Sequence, residues 1–145
     1  MLAADAVVVG AVAIAGPARF AAAAVARGDQ SPITVGRRFR IGRGATVHVE
    51  AERGTRIGSD VWVGDGAVVH ACVVGDGVRV EDGALVLSGS EVGAGSIVAA
   101  GSLVPEKTEF PANSYISGTP GRRQRDTTPE EREATLAALR AAMKT

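Results

Sequence analysis

The chain has 145 residues and carries 16 basic and 16 acidic side chains, so its formal net charge is zero. Without an excess of positive charge, the sequence offers no electrostatic basis for binding nucleic acid or an anionic membrane. Cys72 is the single cysteine, which excludes an intramolecular disulfide and leads us to expect a cytoplasmic protein.

Over long stretches of the chain, every sixth residue is apolar, in several runs separated by breaks in the frame. The longest run without a break is Val74, Val80, Val86, Val92, Val98, Val104 and Phe110. A period of six fits neither an α-helix nor a sustained alternating strand, whereas a solenoid with three short strands per coil has this period. Gly and Asp often follow the apolar residue, where a tight corner is needed. The sequence therefore predicts an all-β solenoid, a left-handed parallel β-helix of hexapeptide repeats, over residues 1–120.

Both histidines of the chain occupy equivalent positions in this repeat. His48 directly follows Val47, and His70 directly follows Val69. Val69 comes 22 positions after Val47, which is one coil of 18 residues plus a four-residue insertion near residues 49–56. We therefore expect the two histidines on one face of adjacent coils, about 4.8 Å apart. Asp65 lies near the preceding corner, from which it is expected to reach the histidines of a neighbouring subunit rather than those of its own chain.

The C-terminal part of the chain changes character. Residues 105–128 collect Pro, Ser, Thr and Arg and are interpreted as a connector. A helix is predicted to follow, with Thr128 as N-cap, Pro129 in the first position and Glu131 completing a capping box. Apolar residues of this helix fall on one stripe, at Leu136, Leu139 and Met143. We thus predict a β-helix domain over residues 1–120, and a connector with a helix packed on the β-helix over residues 121–145.

Two segments resemble the γ-class carbonic anhydrases and their close relatives. They are Ala4–Asp29 and Ile57–Pro105, the latter reading IGSDVWVGDGAVVHACVVGDGVRVEDGALVLSGSEVGAGSIVAAGSLVP. The resemblance includes loops and frame breaks and extends over about the first 120 residues. It implies a homotrimer with a zinc ion at each subunit interface, held by two histidines of one chain and one of its neighbour.

The resemblance also implies which residues form the site. The first and third ligand positions match His48 and His70, the latter within GDGAVVHAC, whereas the second falls on Asp65. Arg27 and Asp29 match an arginine and an aspartate that form an ion pair between subunits beside the metal. Two histidines and a carboxylate can hold zinc, and such a set also suits Fe(II).

Several positions depart from the family pattern. An Asn-x-Gln-Asp segment, whose Gln helps to hold the zinc-bound water, reads Arg40-Ile41-Gly42-Arg43 here, and a family Met is Asp82. A carboxylate ligand at Asp65 adds negative charge, which weakens the pull of the metal on bound water and raises the pKa of that water. The resemblance therefore implies a lyase whose CO₂ hydration is weak or lost.

Other functions remain open. A metal-free homologue could use Asp65, His48 and His70, beside Arg27 and Asp29, for acid–base chemistry on another small organic substrate. A hexapeptide acyltransferase is a third possibility, although no catalytic histidine in an extended loop is visible. A purely structural subunit is a fourth.

Two further features have both a functional and a structural interpretation. An acidic loop with Glu50 and Glu52 could shuttle protons or could simply be solvated. Cys72 suggests a nucleophile, but buried packing fits its position better.

Overall fold

The hexad residues point inward and stack into the core of a left-handed parallel β-helix of about six coils. The computed structural model describes residues 1–144. Side chains such as Val63, Val69, Val80 and Val98 are fully buried. The predicted fold class is confirmed, since the strands of successive coils pair in parallel and their aliphatic residues cover one another in the core.

Seventeen strands and one helix make up this part of the chain. The strands are β1 (Val7–Ile14), β2 (Ala18–Phe20), β3 (Val25–Val35), β4 (Phe39–Ile41), β5 (Thr46–His48), β6 (Thr55–Ile57), β7 (Val61–Val63), β8 (Val68–His70), β9 (Val73–Val74), β10 (Arg79–Val80), β11 (Leu85–Val86), β12 (Glu91–Val92), β13 (Ile97–Val98), β14 (Leu103–Val104), β15 (Glu109–Phe110), β16 (Ser114–Gly118) and β17 (Gly121–Asp126). The helix is α1 (Pro129–Ala142). Over residues 1–144, no helix combines the length and the apolar character needed to cross a membrane.

The solenoid has three faces. The helix face consists of β2, β4, β7, β10, β13 and β16, and α1 packs against its strands β4 and β7. The histidine face consists of the first part of β3 together with β5, β8, β11 and β14. The third face consists of the last part of β3 together with β6, β9, β12 and β15. The long strand β3 joins the last two faces, and β1 pairs with it in parallel.

Residues 105–128, interpreted as a connector, contain the three strands β15, β16 and β17. Strand β16 continues the helix face by pairing with β13, and β17 turns back to pair with β16 in antiparallel fashion. The apolar frame in fact persists here, because Ile116 follows Phe110 by six positions and is fully buried. The surrounding polar residues obscured that frame in the sequence.

The predicted start of α1 is confirmed. Thr128 Oγ1 accepts the Glu131 N–H at 3.1 Å, and Glu131 Oε1 accepts the Thr128 N–H at 2.9 Å. Arg125 adds two hydrogen bonds to the Glu131 carboxylate, at 2.7 and 2.9 Å. Leu139 of the predicted apolar stripe is fully buried, together with Thr135.

Removing the Glu131 carboxylate should weaken the attachment of α1. The bond with Arg125, with the Thr128 N–H second, lowers the pKa of Glu131 from 4.5 to about 2. Because the folded-state pKa is depressed, the stabilisation is complete above pH 4.5 and is lost as the pH falls towards 2. We expect Glu131→Gln to lower the free energy of unfolding by about 1 kcal/mol at pH 7. Urea unfolding at pH 7 and pH 2.5 checks this, and an equal difference at both pH values would contradict it.

Candidate functional site

His48 and His70 lie side by side on the histidine face. Strands β5 and β8 pair in parallel with His48 opposite His70, and the centres of the two imidazole rings are 5.3 Å apart. Val47 and Val69 point into the core, so strand alternation turns the next residue outward. The structure therefore shows the predicted adjacency of the two histidines, as expected for a four-residue insertion between their coils.

A carboxylate orients one of these imidazoles. Asp29 Oδ1 lies 3.2 Å from His48 Nε2, and Asp29 Oδ2 accepts a hydrogen bond from Arg27 Nη2 at 2.9 Å. The Arg27 hydrogen bond holds the pKa of Asp29 below its ordinary value, and the bond with His48 lowers it further. Asp29 is therefore ionised at neutral pH and favours a proton on His48 Nε2.

Sequence reasoning missed this contact. It assigned Arg27 and Asp29 to an ion pair between subunits, whereas the structure shows the pair within one chain. The parallel register that joins Ala26 to Val47 was the available signal, because it places Arg27 and the nearby Asp29 one coil from His48. An additional contact of either residue across a subunit interface stays a prediction.

Asp65 lies at the corner after β7 and has partners in its own chain. Its Oδ1 accepts the Arg43 N–H at 2.9 Å and a hydrogen bond from Arg40 Nη2 at 3.2 Å. The Asp65 N–H in turn donates to Asp82 Oδ1 at 2.8 Å. The position of Asp65 agrees with the expectation that it does not join the histidines of its own chain.

Gly42 lies directly beneath the Asp65 corner. A Cβ atom at position 42 would be 2.4 Å from Asp65 Oδ1 and 2.6 Å from Asp65 N. Real Cβ atoms do not approach other atoms so closely. The coil above therefore leaves no space for the glutamine that the family pattern has at this position.

The residues of one chain do not fit a three-ligand metal site. Within residues 1–144, no three His, Cys, Asp or Glu side chains converge on a point where an ion could bind. The histidine face supplies two imidazoles, and Nε2 of His48 is already bonded to Asp29. The predicted set of His48, Asp65 and His70, for zinc or Fe(II), would need Asp65 from a neighbouring subunit and stays a prediction.

Cys72 and the acidic loop with Glu50 and Glu52 are the other candidate groups. Cys72 is in the core, where burial raises the pKa of its thiol to about 12, so it is not a nucleophile at neutral pH. Glu50 and Glu52 line a surface groove of about 520 Å³ that includes neither histidine. Glu50 is 3.8 Å from Arg53, so the loop has a charge partner of its own.

Known proteins share both the sequence pattern and the fold. The sequence model of the family described as bacterial transferase hexapeptide (six repeats) matches residues 54–88 of this chain. A protein of Methanocaldococcus jannaschii named probable carbonic anhydrase is 46% identical over 130 residues, which are 90% of this chain and 82% of the relative.

Two solved structures superpose closely on this chain. One, from Bacillus cereus and provisionally named an acetyltransferase, is 27% identical with a TM-score of 0.86 and covers 99% of this chain and 87% of its own. The other is a hexapeptide transferase family protein from Anaplasma phagocytophilum, 26% identical with a TM-score of 0.85, covering 99% of this chain and 88% of its own.

Proposed function

This chain belongs to the carbonic anhydrase-like family of hexapeptide-repeat proteins, and we propose that it is an enzyme with an acid–base site at His48 and His70 whose CO₂ hydration is weak or lost. The observation that carries the proposal is the hydrogen bond between Asp29 and His48, beside the second imidazole. The departures from the three-histidine pattern, at Asp65 above all, support the loss of rapid CO₂ hydration.

The geometry supports a specific division of roles. Asp29 accepts the Nε2 proton of His48, which leaves Nδ1 of a neutral His48 as the basic nitrogen. That nitrogen can take a proton from water or from an acidic group of a small substrate. The Asp29 carboxylate then stabilises the imidazolium, while Arg27 holds the carboxylate in place. His70 is the adjacent titratable group, with the centre of its ring 5.3 Å from that of His48, and we propose it as the next proton acceptor.

We also propose that the enzyme is a homotrimer in which the histidine face forms the subunit interface. An uncharged column of outward-facing side chains runs along this face beside the histidines: Val25, Thr46, Val68, Leu85 and Leu103. A closed ring of three subunits would bury this column and enclose the imidazoles. Asp65 of a neighbouring subunit would then approach the same pocket.

Variants of the histidine site test the proposed chemistry. The probes are CO₂, followed by stopped-flow with a pH indicator, and p-nitrophenyl acetate as a small activated ester. We expect slow CO₂ hydration that added zinc does not increase. Ester hydrolysis should fall about 100-fold in His48→Gln and less in Asp29→Asn, because the first loses the base and the second only its orientation.

Glu50→Gln is the matched control, because it removes a carboxylate from a groove that includes neither histidine. Ester hydrolysis that is the same in His48→Gln as in the native enzyme would contradict the acid–base site. Rapid CO₂ hydration by the native enzyme with one zinc per chain would contradict the loss of the family reaction.

Acyl transfer is a second candidate function. It is favoured by the transferase repeat model over residues 54–88 and by the two superposed structures that carry transferase names. An oriented imidazole suits this chemistry too, since it could deprotonate the acceptor of the acyl group. Calorimetric titration with acetyl-CoA separates the two candidates, because micromolar binding is expected only of the acyltransferase.

The predicted cytoplasmic location and the absence of nucleic-acid partners stay predictions. They rest on the single cysteine and on the balanced charge.

A further inference from the structure

We propose that Arg40, Gly42, Asp65 and Asp82, four positions at which the chain departs from the carbonic anhydrase pattern, form one structural ladder along a corner of the β-helix. In this ladder the Arg40 guanidinium is the cation beside Asp65, and Asp65 serves the fold instead of a metal. The inference concerns metal binding and holds whichever reaction the histidines serve.

The first support is the repeated use of aspartate as a clamp between coils. Asp65 Oδ1 accepts the Arg43 N–H of the preceding coil at 2.9 Å, and Asp82 Oδ1 accepts the Asp65 N–H at 2.8 Å. Asp76 does the same at another corner, where its Oδ1 accepts the Ser59 N–H at 2.8 Å. The resemblance places no metal ligand at Asp76. The solenoid itself therefore accounts for an aspartate at each of these corners.

The second support is the glycine beneath each clamp. A Cβ atom at Gly42, Gly64 or Gly58 would lie 2.4, 2.4 or 2.2 Å from the carboxylate oxygen above it. These oxygens belong, in the same order, to Asp65, Asp82 and Asp76. A clamping aspartate and a glycine one coil earlier thus form a matched pair. The packing of Asp65 explains why position 42 is a glycine. The absence of the family glutamine at this position therefore need not be interpreted as the loss of a catalytic residue.

The third support is the charge of Arg40. Its Nη2 lies 3.2 Å from Asp65 Oδ1, its Nη1 donates to the Val63 carbonyl at 3.1 Å, and its guanidinium lies 4.1 Å from the centre of the Trp62 ring. The Arg40 side chain is only 18% exposed. A cation at Asp65 would have to displace or lie beside this anchored guanidinium, and repulsion between like charges opposes both.

Paired variants at Asp65 and Asp76 test the ladder. Asp65→Ala and Asp76→Ala should each lower the midpoint of thermal unfolding by about 3–6 °C at equal protein concentration, because each loses a clamp. Asp65→Asn and Asp76→Asn should lose less than half as much, since the amide oxygen still accepts the backbone N–H. Zinc chloride is also titrated into the chelator-treated proteins in a calorimeter. Any zinc that the native protein binds should be bound equally by Asp65→Asn.

Metal binding and stability separate the outcomes. One zinc per chain that is lost in Asp65→Asn and kept in Asp76→Asn would overturn the proposal. So would an Asp65→Ala variant that unfolds at the native temperature while Asp76→Ala does not. Weak zinc binding that survives in Asp65→Asn supports the ladder, because it does not use this carboxylate. None of these measurements uses catalytic activity, so they remain informative if the acid–base function fails its own test.

Discussion

Gly42→Gln is expected to destabilise the protein by about 3 kcal/mol or more, or to prevent folding, because the new side chain has no space. Its Cβ would lie 2.4 Å from Asp65 Oδ1, and two backbone atoms of the coil above, Asp65 N and Gly64 C, would each be 2.6 Å away. The carboxylate could rotate away, but the backbone of a stacked coil cannot move without breaking its ladder of hydrogen bonds. Restoring the family glutamine is therefore not a route to faster CO₂ hydration.

A neighbouring glycine provides the control for this prediction. Gly44 has a φ of +64° and no atom within 4 Å of an added Cβ, so Gly44→Ala carries only the backbone penalty of about 1–2 kcal/mol. Urea unfolding of Gly42→Ala and Gly44→Ala compares steric overlap with backbone strain at one corner. If Gly42→Ala is no less stable than Gly44→Ala, the close packing of Asp65 over Gly42 is wrong.

Leu85→Arg is expected to convert the proposed trimer, about three times 14.7 kDa, into single chains of 14.7 kDa. Leu85 lies between Val68 and Leu103 in the uncharged column of the histidine face. A guanidinium there would be buried without a partner in each of three symmetric contacts, which should weaken association at least about 100-fold. Light scattering during size-exclusion chromatography measures the mass at micromolar concentration.

Val73→Arg is the matched control, because Val73 is an exposed valine on the third face and should tolerate the same substitution without a change in mass. Ester hydrolysis measured on the separated Leu85→Arg chains reports whether the site needs its neighbours. If the native protein is already monomeric at micromolar concentration, both the proposed trimer and the proposed shared pocket are wrong.

The sequence alone determined the fold and the adjacency of the histidines. In a β-helix each residue lies beside the equivalent residue of the next coil. The spacing of Val47 and Val69 therefore determines that His48 and His70 are neighbours. The helix start could be predicted for a different reason, since Thr128 and Glu131 meet through a local contact that spans only three positions. Both kinds of contact follow from the spacing along the chain and from backbone geometry, which the sequence alone provides.

Only the tertiary structure decided how the outward-facing polar groups pair. Asp29 turns its carboxylate towards His48, and Asp65 turns its carboxylate towards Arg40 and the Arg43 N–H. The six-residue period is carried by the buried aliphatic side chains, which constrain the backbone but not the side-chain rotamers outside it. A corner aspartate therefore has the same sequence signature whether it binds a metal or clamps the coil before it, and the atoms around its carboxylate are what distinguish the two.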